Sequence, residues 1–510
     1  MSDTSDSDGD DVSASALPIN VTVVVLGDLG RSPRMQYHTV SLLSLPHVHR
    51  VDLVGYAGSE LISSLRAELA APDSRLAVHA MPPVFSDAPA PAVALLQRLF
   101  VTRAAYKIAV QCWTLLRLLL FVVHAPHSVL VQSPPAIPTL LVVWLVCALR
   151  GARMVVDWHN YAFSLLHVGL VGRRNAPPSR AAQALVAVAH AYEGALGRMA
   201  HANICVTHAM SRDLLTRWRI KAHVLHDAPP PRFKPLSLAD RNAVLREFAA
   251  KLRLPQLADA NTRPAVLVSS TSWGDDEDFS VLLDAIVQYD RMVAISIVAA
   301  PLPPRRGSVD VGSSSSSSGG AGSSSSISRS GSSALAAQAA PPVSPARQYP
   351  DIVVLITGRG DRQKEYMERF DALRLRHVTV RSVWLTANDY PRLLAAADLG
   401  LSLHYSSSGL DLPMKVVDMF GCALPVCAIN FACLDELVVD GKNGYVFEDA
   451  KQLCGQMEML LKGFPAQRVK LEYMREYIVK ATPRWQTNWD KAVKRLFALR
   501  RRKLADVTSS

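Results

Sequence analysis

The sequence predicts an α/β protein made of two doubly wound parallel-sheet domains that face each other across a cleft. Three observations lead there. Short Val-rich strands alternate with helical stretches from Asn20 to Trp218. The pattern breaks at Pro229-Pro-Pro231, then restarts and runs to Leu461. Such alternation is what a parallel sheet covered on both faces requires. A chain of 510 residues is also too long for one hydrophobic core.

Residues 1–18 are polar and acidic (Asp3, Asp6, Asp8, Asp10, Asp11), expected to be disordered, and carry no signal-peptide pattern. The first domain, 19–228, opens with the strand Asn20–Gly27, which ends in a Gly-Asp-Leu-Gly turn. A helix at His38–Leu45 follows, then strands at Val51–Tyr56, Ser128–Gln132, Arg153–Trp158 and Ala202–Thr207. Helical patterns lie around Ile137–Leu149, Ala181–Met199 and Ala209–Trp218. The second domain, 262–465, reads as strand Ala265–Ser269, helix Phe279–Arg291 and a further short strand at Met292–Ala299. Strands at Ile352–Thr357, Val378–Val383, Leu399–Leu403 and Pro425–Ile429 then alternate with helices from Lys364, at Ala387–Ala396 and at Asp449–Leu461. The Ser/Gly/Pro-rich stretch 303–348 cannot bury a core and is expected to be a disordered insert. Residues 466–510 are expected to be helices packing back on the first domain, because Trp485, Trp489, Val493 and Leu496 share one face of an amphipathic stretch.

Composition narrows the function classes. A net charge of +11 favours anionic partners: phosphates, an acidic leaflet or nucleic acid. No aromatic–basic interleaving of the RNA-binding kind is present, so nucleic acid is excluded as a partner. The seven cysteines are scattered through apolar runs without a CxxC pair, which argues against zinc, disulfides or any metal site. Two greasy segments stand out. Ala136–Leu149 has 14 residues, fewer than the ~20 needed to cross a bilayer, and reads as a helix buried against a sheet. Ile108–Val123 reads either as a buried helix or as a shallow membrane-docking helix whose Arg117 snorkels to headgroups.

The stretch most charged with chemistry runs from Ser406 to Gly421. It joins a polar turn (Ser407, Ser408, Gly409, Leu410) to a helix start that carries Lys415 and Asp418. A glycine lets the backbone approach a ligand, and the N–H groups of a helix start seat a phosphate. Lys415 adds a point charge, and Asp418 can take hydrogen bonds from ribose hydroxyls. A plain capped helix is the alternative reading of these residues.

Several segments together resemble one family. They are Gly27-Asp-Leu-Gly-Arg-Ser-Pro-Arg-Met-Gln-Tyr-His38, Val131-Gln-Ser-Pro-Pro135, Asp157-Trp-His-Asn-Tyr161, Ser269 to Trp273 with Asp276 to Phe279, Ile356-Thr-Gly-Arg-Gly360, Ala397-Asp-Leu-Gly400 and Ser406 to Gly421. The chain resembles the chitobiosyldiphosphodolichol beta-mannosyltransferases from Val21 to Phe447, apart from the Ser-rich insert. The resemblance implies the GT-B fold, GDP-mannose as donor and GlcNAc2-diphosphodolichol as acceptor. It implies inverting, beta-1,4 transfer on the cytosolic face of the endoplasmic reticulum membrane, the first mannosylation in lipid-linked oligosaccharide assembly for N-glycosylation. No cofactor is implied as required; stimulation by Mg2+ or Mn2+ and a complex with later mannosyltransferases stay open.

An inverting displacement needs a general base on the acceptor hydroxyl and support for the departing diphosphate. For the second task the resemblance points to Arg359, Lys415 and the backbone around Ser407, Ser408 and Gly409. Asp418 falls where related retaining enzymes keep the second acid of a Glu-x7-Glu pair. Their first acid would fall at Leu410, a departure, and the role of nearby Asp411 stays open. For the base, Asp157 and His159 end a first-domain strand, while Asp28 and His38 flank the first turn. Each has a plain alternative, Asp157 as a turn cap and His38 as helix packing. Gly27, Gly30, Arg31 and Arg34 are candidates for the acceptor diphosphate, with solvated surface cations as the alternative for both arginines. Trp273 and Trp384 read as core or loop packing, with a stacking platform for guanine as the alternative for either. Rival readings are another GT-B transferase acting later on the same lipid, a non-catalytic scaffold, and a nucleotide-sugar epimerase.

Overall fold

The computed structural model describes residues 18–82, 100–171, 179–274, 277–298, 348–406 and 408–498. Ser407 and all but one residue each of the acidic N-terminus and the Ser-rich insert lie outside them.

The first lobe comprises β1 (Ile19–Asp28), α1 (Pro33–Leu43), β2 (Val48–Tyr56), α2 (Ser63–Ala70), β3 (Leu76–Met81), α3 (Phe100–Arg117), β4 (Ser128–Ser133), α4 (Thr139–Arg150) and β5 (Arg153–Trp158). It continues with α5 (Ala162–Val171), α6 (Arg180–Met199), β6 (Ala202–Cys205), α7 (His208–Trp218) and β7 (His223–Val224). Its strands form one sheet in the order β3-β2-β1-β4-β5-β6-β7, with every pair parallel. The Val run of β1 shows why. Val21, Val23 and Val25 enter the core under α1, while Val24 and Leu26 enter the opposite core with Leu115 and Val143. A strand with an unbroken apolar run such as Val23 to Leu26 is at home only with both faces covered.

The second lobe follows the same plan: α8 (Leu238–Lys251), β8 (Ala265–Ser270), α9 (Phe279–Val298), β9 (Ile352–Thr357), α10 (Gln363–Ala372), β10 (Val378–Val383) and α11 (Asp389–Ala396). Then come β11 (Leu399–Ser402), α12 (Met414–Gly421), β12 (Val426–Ile429), β13 (Gly444–Phe447), α13 (Ala450–Leu461), α14 (Val469–Ala481) and α15 (Trp485–Ala492). The strand order is β10-β9-β8-β11-β12-β13, again all parallel. In both sheets the first strand is flanked on either side by strands of opposite winding. That switch point is where open α/β sheets bind ligands, beyond the strand C-termini.

Five expectations about the fold are corrected. Met292–Val298 is helix, because Leu282, Ile286, Tyr289 and Val293 form a continuous buried stripe at helical spacing. The second core begins before residue 262: Leu245 and Phe248 of α8 pack with Val266 and Val268. α14 stays with the second lobe through Leu471, Met474 and Ile478, so only α15 and the turn after it return to the first. Finally, α4 is buried on one side alone, with Leu141, Leu145 and Leu149 exposed. Pro33 starts α1 five residues earlier than expected, its fixed φ suiting the first helical position, and this sets His38 in mid-helix.

The returning α15 is stitched to α1. Trp489 is fully buried, donates from Nε1 to His38 Nδ1 at 2.9 Å and stacks near Phe497. Trp485 donates to Ser41 Oγ at 2.9 Å. Trp489→Ala leaves a large cavity and an orphaned imidazole nitrogen, and should destabilise the protein by about 3–5 kcal/mol. Chemical denaturation checks this; a loss under about 1 kcal/mol would show that the tail is only loosely attached.

Candidate active site

At the C-terminal end of β5 a buried charge cluster forms. Arg34, near the start of α1, places its guanidinium across both oxygens of Asp157, Nε to Oδ2 at 2.9 Å and Nη2 to Oδ1 at 3.0 Å. Its Nη1 donates to Asp227 at 2.7 Å and to the Leu225 carbonyl. Burial works against the charge of Arg34, but Asp157 and Asp227 outweigh it and hold the guanidinium pKa above its ordinary value. Burial likewise works against an ionised Asp157, yet Arg34, His159 and His38 hold that carboxyl well below the usual range. Arg34 is therefore neither a solvated cation nor free for a diphosphate. Asp157, with no exposed surface, cannot take a proton from a substrate itself.

Two histidines meet the same carboxylate. His38 is fully buried beneath Trp485 and Trp489; since Nδ1 accepts from Trp489, its proton sits on Nε2, 3.2 Å from Asp157. Burial lowers its pKa, and its seal corrects its place among the base candidates. His159 is different. Its Nε2 lies 2.8 Å from Asp157 Oδ2 and its side chain is 24% exposed. A carboxylate on Nε2 fixes the proton there and leaves Nδ1 as the basic nitrogen. Of the four base candidates, His159 alone combines an orienting carboxylate with access to a ligand.

The first turn holds loops together. The Asp28 carboxylate accepts from the backbone N–H groups of Gly30 and Ser59 and from Ser59 Oγ. Burial tends to raise its pKa, but those donors and Arg31 hold it below the ordinary value. It is a loop clamp, which answers its candidacy as base. Gly30 has no room for a side chain, since a Cβ would lie 2.4 Å from the Ser59 carbonyl oxygen; one on Gly27 would meet only Val25. Arg31 is exposed and stays available to an anion.

Across the cleft, Gly409 takes φ +72°, a left-handed turn open to glycine. Its N–H is used by Ser406 Oγ, so the seat for an anion is not this N–H but the start of α12, where Pro413 leaves the first turn without a side-chain cap. Ser408 Oγ donates to Asp411 at 3.2 Å. Leu410 turns away from any donor: its side chain packs on the first lobe's core and its carbonyl accepts from Thr207 Oγ1 at 2.7 Å. Lys415 Nζ pairs with the buried Glu277 at 2.7 Å. Arg359 lies over the ring of Trp384, 4.2 Å from its centroid, and this tryptophan is 63% exposed rather than packed. Trp273, by contrast, is core, stacked on Phe279.

Asp418 stands near Arg232, Asp227 and Tyr37, and among the described residues no hydrogen bond reaches its carboxylate. Burial pushes its pKa up to about 7, with Arg232 opposing and Asp227 adding. An underbonded carboxyl of this kind suits a ligand that brings hydroxyl donors. The lobes touch through Asn160 Nδ2 to Asp411 Oδ1 at 3.3 Å and through Glu436, which accepts from the N–H groups of His208 and Ala209 and meets His226 Nε2 at 2.9 Å. Glu277, Asn160, Asp227 and Glu436 escaped the sequence reading. Asn160 and Glu277 lay inside quoted motifs, while no local pattern marks the other two. Among the described residues no group of three or more His, Cys, Asp or Glu is arranged to hold a metal ion.

The family model for glycosyl transferases group 1 matches residues 325–463. Over 93% of this chain and 96% of its own length, the Arabidopsis thaliana UDP-glycosyltransferase TURAN is 37% identical. Human chitobiosyldiphosphodolichol beta-mannosyltransferase is 35% identical over 93% of this chain and 91% of its own, and the Dictyostelium discoideum protein of that name 34% over 92% of each. Among solved structures, Anabaena Alr3699/HepE with UDP and glucose has a TM-score of 0.55 at 14% identity. Sucrose-phosphate synthase from Thermosynechococcus elongatus has 0.57 at 14%; each alignment covers 94% of this chain and 99% of the other. These likenesses place the two lobes in the GT-B fold.

The raised carboxyl of Asp418 has a testable sign. The folded protein keeps a proton that the unfolded chain, with the ordinary value of 3.8, has already released. Stability therefore falls as pH climbs from about 4 to about 7 and stays lower above that window. Asp418→Asn should raise the melting midpoint near pH 8.5 and leave it close to wild type near pH 4. A difference independent of pH would contradict the burial of this carboxyl.

Proposed function

The chain belongs to the family of chitobiosyldiphosphodolichol beta-mannosyltransferases, and we propose that it transfers mannose from GDP-mannose to GlcNAc2-diphosphodolichol with inversion. The observation that carries the reading is His159, set on the buried Asp157 and one residue from Asn160, which touches the lobe that holds Lys415 and the uncapped α12 start. In the proposed step, Nδ1 of His159 takes the proton of the acceptor's 4-hydroxyl as that oxygen attacks the anomeric carbon. The bond from that carbon to the diphosphate breaks on the opposite face, giving a beta linkage and GDP. Asp157 steadies the imidazolium that forms. The new charge on the diphosphate falls to Lys415, Arg359 and the first N–H groups of α12. Asp418 receives the ribose hydroxyls. Asn160 and Asp411, which meet between the lobes, flank the space for the sugar.

On this reading the protein works at the endoplasmic reticulum membrane with both lobes on the cytosolic side. No required metal enters the scheme, so turnover in EDTA is expected. The name of the Arabidopsis relative makes a UDP-sugar the donor to test against GDP-mannose.

Purified protein with GDP-mannose and a phytanyl diphosphate chitobiose should give a mannosylated lipid that beta-mannosidase cleaves. A product made only from a UDP-sugar, or one resistant to beta-mannosidase, would overturn the assignment. His159→Gln should cut kcat by roughly 10²–10⁴ with GDP affinity unchanged. Lys415→Ala should weaken GDP binding and turnover together; a folded Lys415→Ala protein with full activity would remove Lys415 from the donor site.

A further inference from the structure

Glu277 has no task in the transfer itself, yet it is a charged residue only 2% exposed. It follows β8 and stands two residues before α9, in the loop beside the switch point between β8 and β11. A carboxylate taken out of water is tolerated only where donors meet it. Three meet Glu277. Lys415 Nζ donates to Oε1 at 2.7 Å, the Ser272 N–H donates to Oε2 at 3.2 Å, and Thr271 Oγ1 donates to Oε2 as well. Two of these donors belong to its own loop; the third arrives from α12, 138 positions on.

That loop has little freedom. Trp273 before Glu277 and Phe279 after it are core residues whose rings stack at 4.6 Å. Thr271 Oγ1 accepts the Trp273 N–H at 2.7 Å, and the Thr357 carbonyl accepts the Thr271 N–H at 2.8 Å. The turn that carries Arg359 presses on the same backbone. A Cβ on Gly358 would lie 1.8 Å from the Thr271 carbonyl oxygen, and one on Gly360 1.9 Å from that of Ser272. Glu277 also forms a backbone bridge with His404, just past β11. The carboxylate is therefore a fixed point, braced by the ends of β8, β9 and β11.

Lys415 is the opposite kind of group. Its ammonium is a point charge on a flexible four-carbon stem, and ordering such a stem costs rotamer entropy. Its side chain is 28% exposed, at the second position of α12. An ammonium has three N–H donors, so the one given to Glu277 leaves two for a ligand. The lysine is ordered before any ligand arrives, and the ligand need not supply that ordering.

We propose that Glu277 is a positioning residue of the donor site, holding the Lys415 ammonium beside the uncapped start of α12, ready for the diphosphate, without touching the donor itself. This deepens the mannosyltransferase reading and rests on its placing of Lys415 at the diphosphate.

The test is a double-mutant cycle on GDP affinity, measured by calorimetry with the full-length protein. Glu277→Ala should weaken GDP binding about tenfold, because the nucleotide must then order a free lysine. Lys415→Ala should weaken it too. Adding Glu277→Ala to Lys415→Ala should change the affinity by less than about twofold. Glu277→Gln keeps an oxygen within reach of Lys415 and should stay within about threefold of wild type. Glu277→Asp keeps the charge but ends one methylene short, and should behave like Glu277→Ala. Should Glu277→Ala not fold, Glu277→Asp takes its place in the cycle. Equal losses from the Glu277 substitution with and without Lys415 overturn the proposal, since they would mean damage to the loop rather than a misplaced lysine. Full GDP affinity in the Glu277 variant, beside a weakened Lys415→Ala, overturns it alone. Full GDP affinity in Lys415→Ala brings down the donor-site reading and the proposal together, so the two failures are told apart.

Discussion

The buried guanidinium of Arg34 on Asp157 is the interaction on which the first lobe's functional end depends. Two charges this deep are stable only with near-ideal geometry and with their remaining hydrogen-bonding capacity met. Both conditions hold: the carboxylate takes two parallel bonds from Arg34 and one from His159, while the spare arm of Arg34 reaches Asp227 and the Leu225 carbonyl. The fork is planar and bidentate, so a lysine could not replace it. It joins α1, the end of β5 and the chain leaving β7, three segments that share no sequence neighbourhood. The imidazole of His159 inherits its position from this assembly.

The same network reaches the crossing between lobes. Asp227 begins the stretch that leads through Pro229, Arg232 and Phe233 into the second lobe, and Gly421 at the end of α12 lies close enough to Pro229 and Phe233 that a Cβ would meet them at 2.5 and 2.7 Å. Asp418, one turn earlier on α12, shares its electrostatic surroundings with Asp227 and Arg232. The Asp418 carboxyl and the His159 imidazole are thus connected through one buried arginine and one short linker. Where the lobes touch beyond the linker, polar contacts (Glu436 at the start of α7, and Asn160 against Asp411) lie beside the apolar seat of Leu410 on the first lobe's core. Polar contacts of this kind separate more easily than a packed apolar seam, which suits a cleft that must admit two substrates.

Local patterns made much of this legible. The Val runs, the proline break and the Gly-containing turns named two parallel sheets, because each signal acts within a few residues. What failed was everything set by distant partners. MVAISIV reads as a strand by its β-branched residues, but the preceding stripe of Leu282, Ile286 and Tyr289 carries the helix through it. Arg34 and Asp157 each stand out in the sequence, but their union across 123 positions does not, since no residue near either one announces the other. Lys415 and Glu277 repeat the lesson at 138 positions. His38 was a reasonable base by chemistry and spacing; Trp485 and Trp489, arriving from the far end of the chain, close it off.

Those separations also explain why the two walls of the cleft differ. On the first lobe the charges are mutually satisfied and buried, which holds one imidazole in a single orientation before any substrate arrives. On the second, no hydrogen bond among the described residues reaches the carboxyl of Asp418, and the cations are only lightly engaged, Lys415 with one carboxylate and Arg359 with the face of Trp384. A rigid, neutralised wall suits a base that must act at one angle. An underbonded wall suits a nucleotide diphosphate that brings its own hydroxyls and charges, because binding then completes interactions the empty protein lacks. The asymmetry is what the proposed mechanism needs, with acceptor activation on the first lobe and the donor on the second.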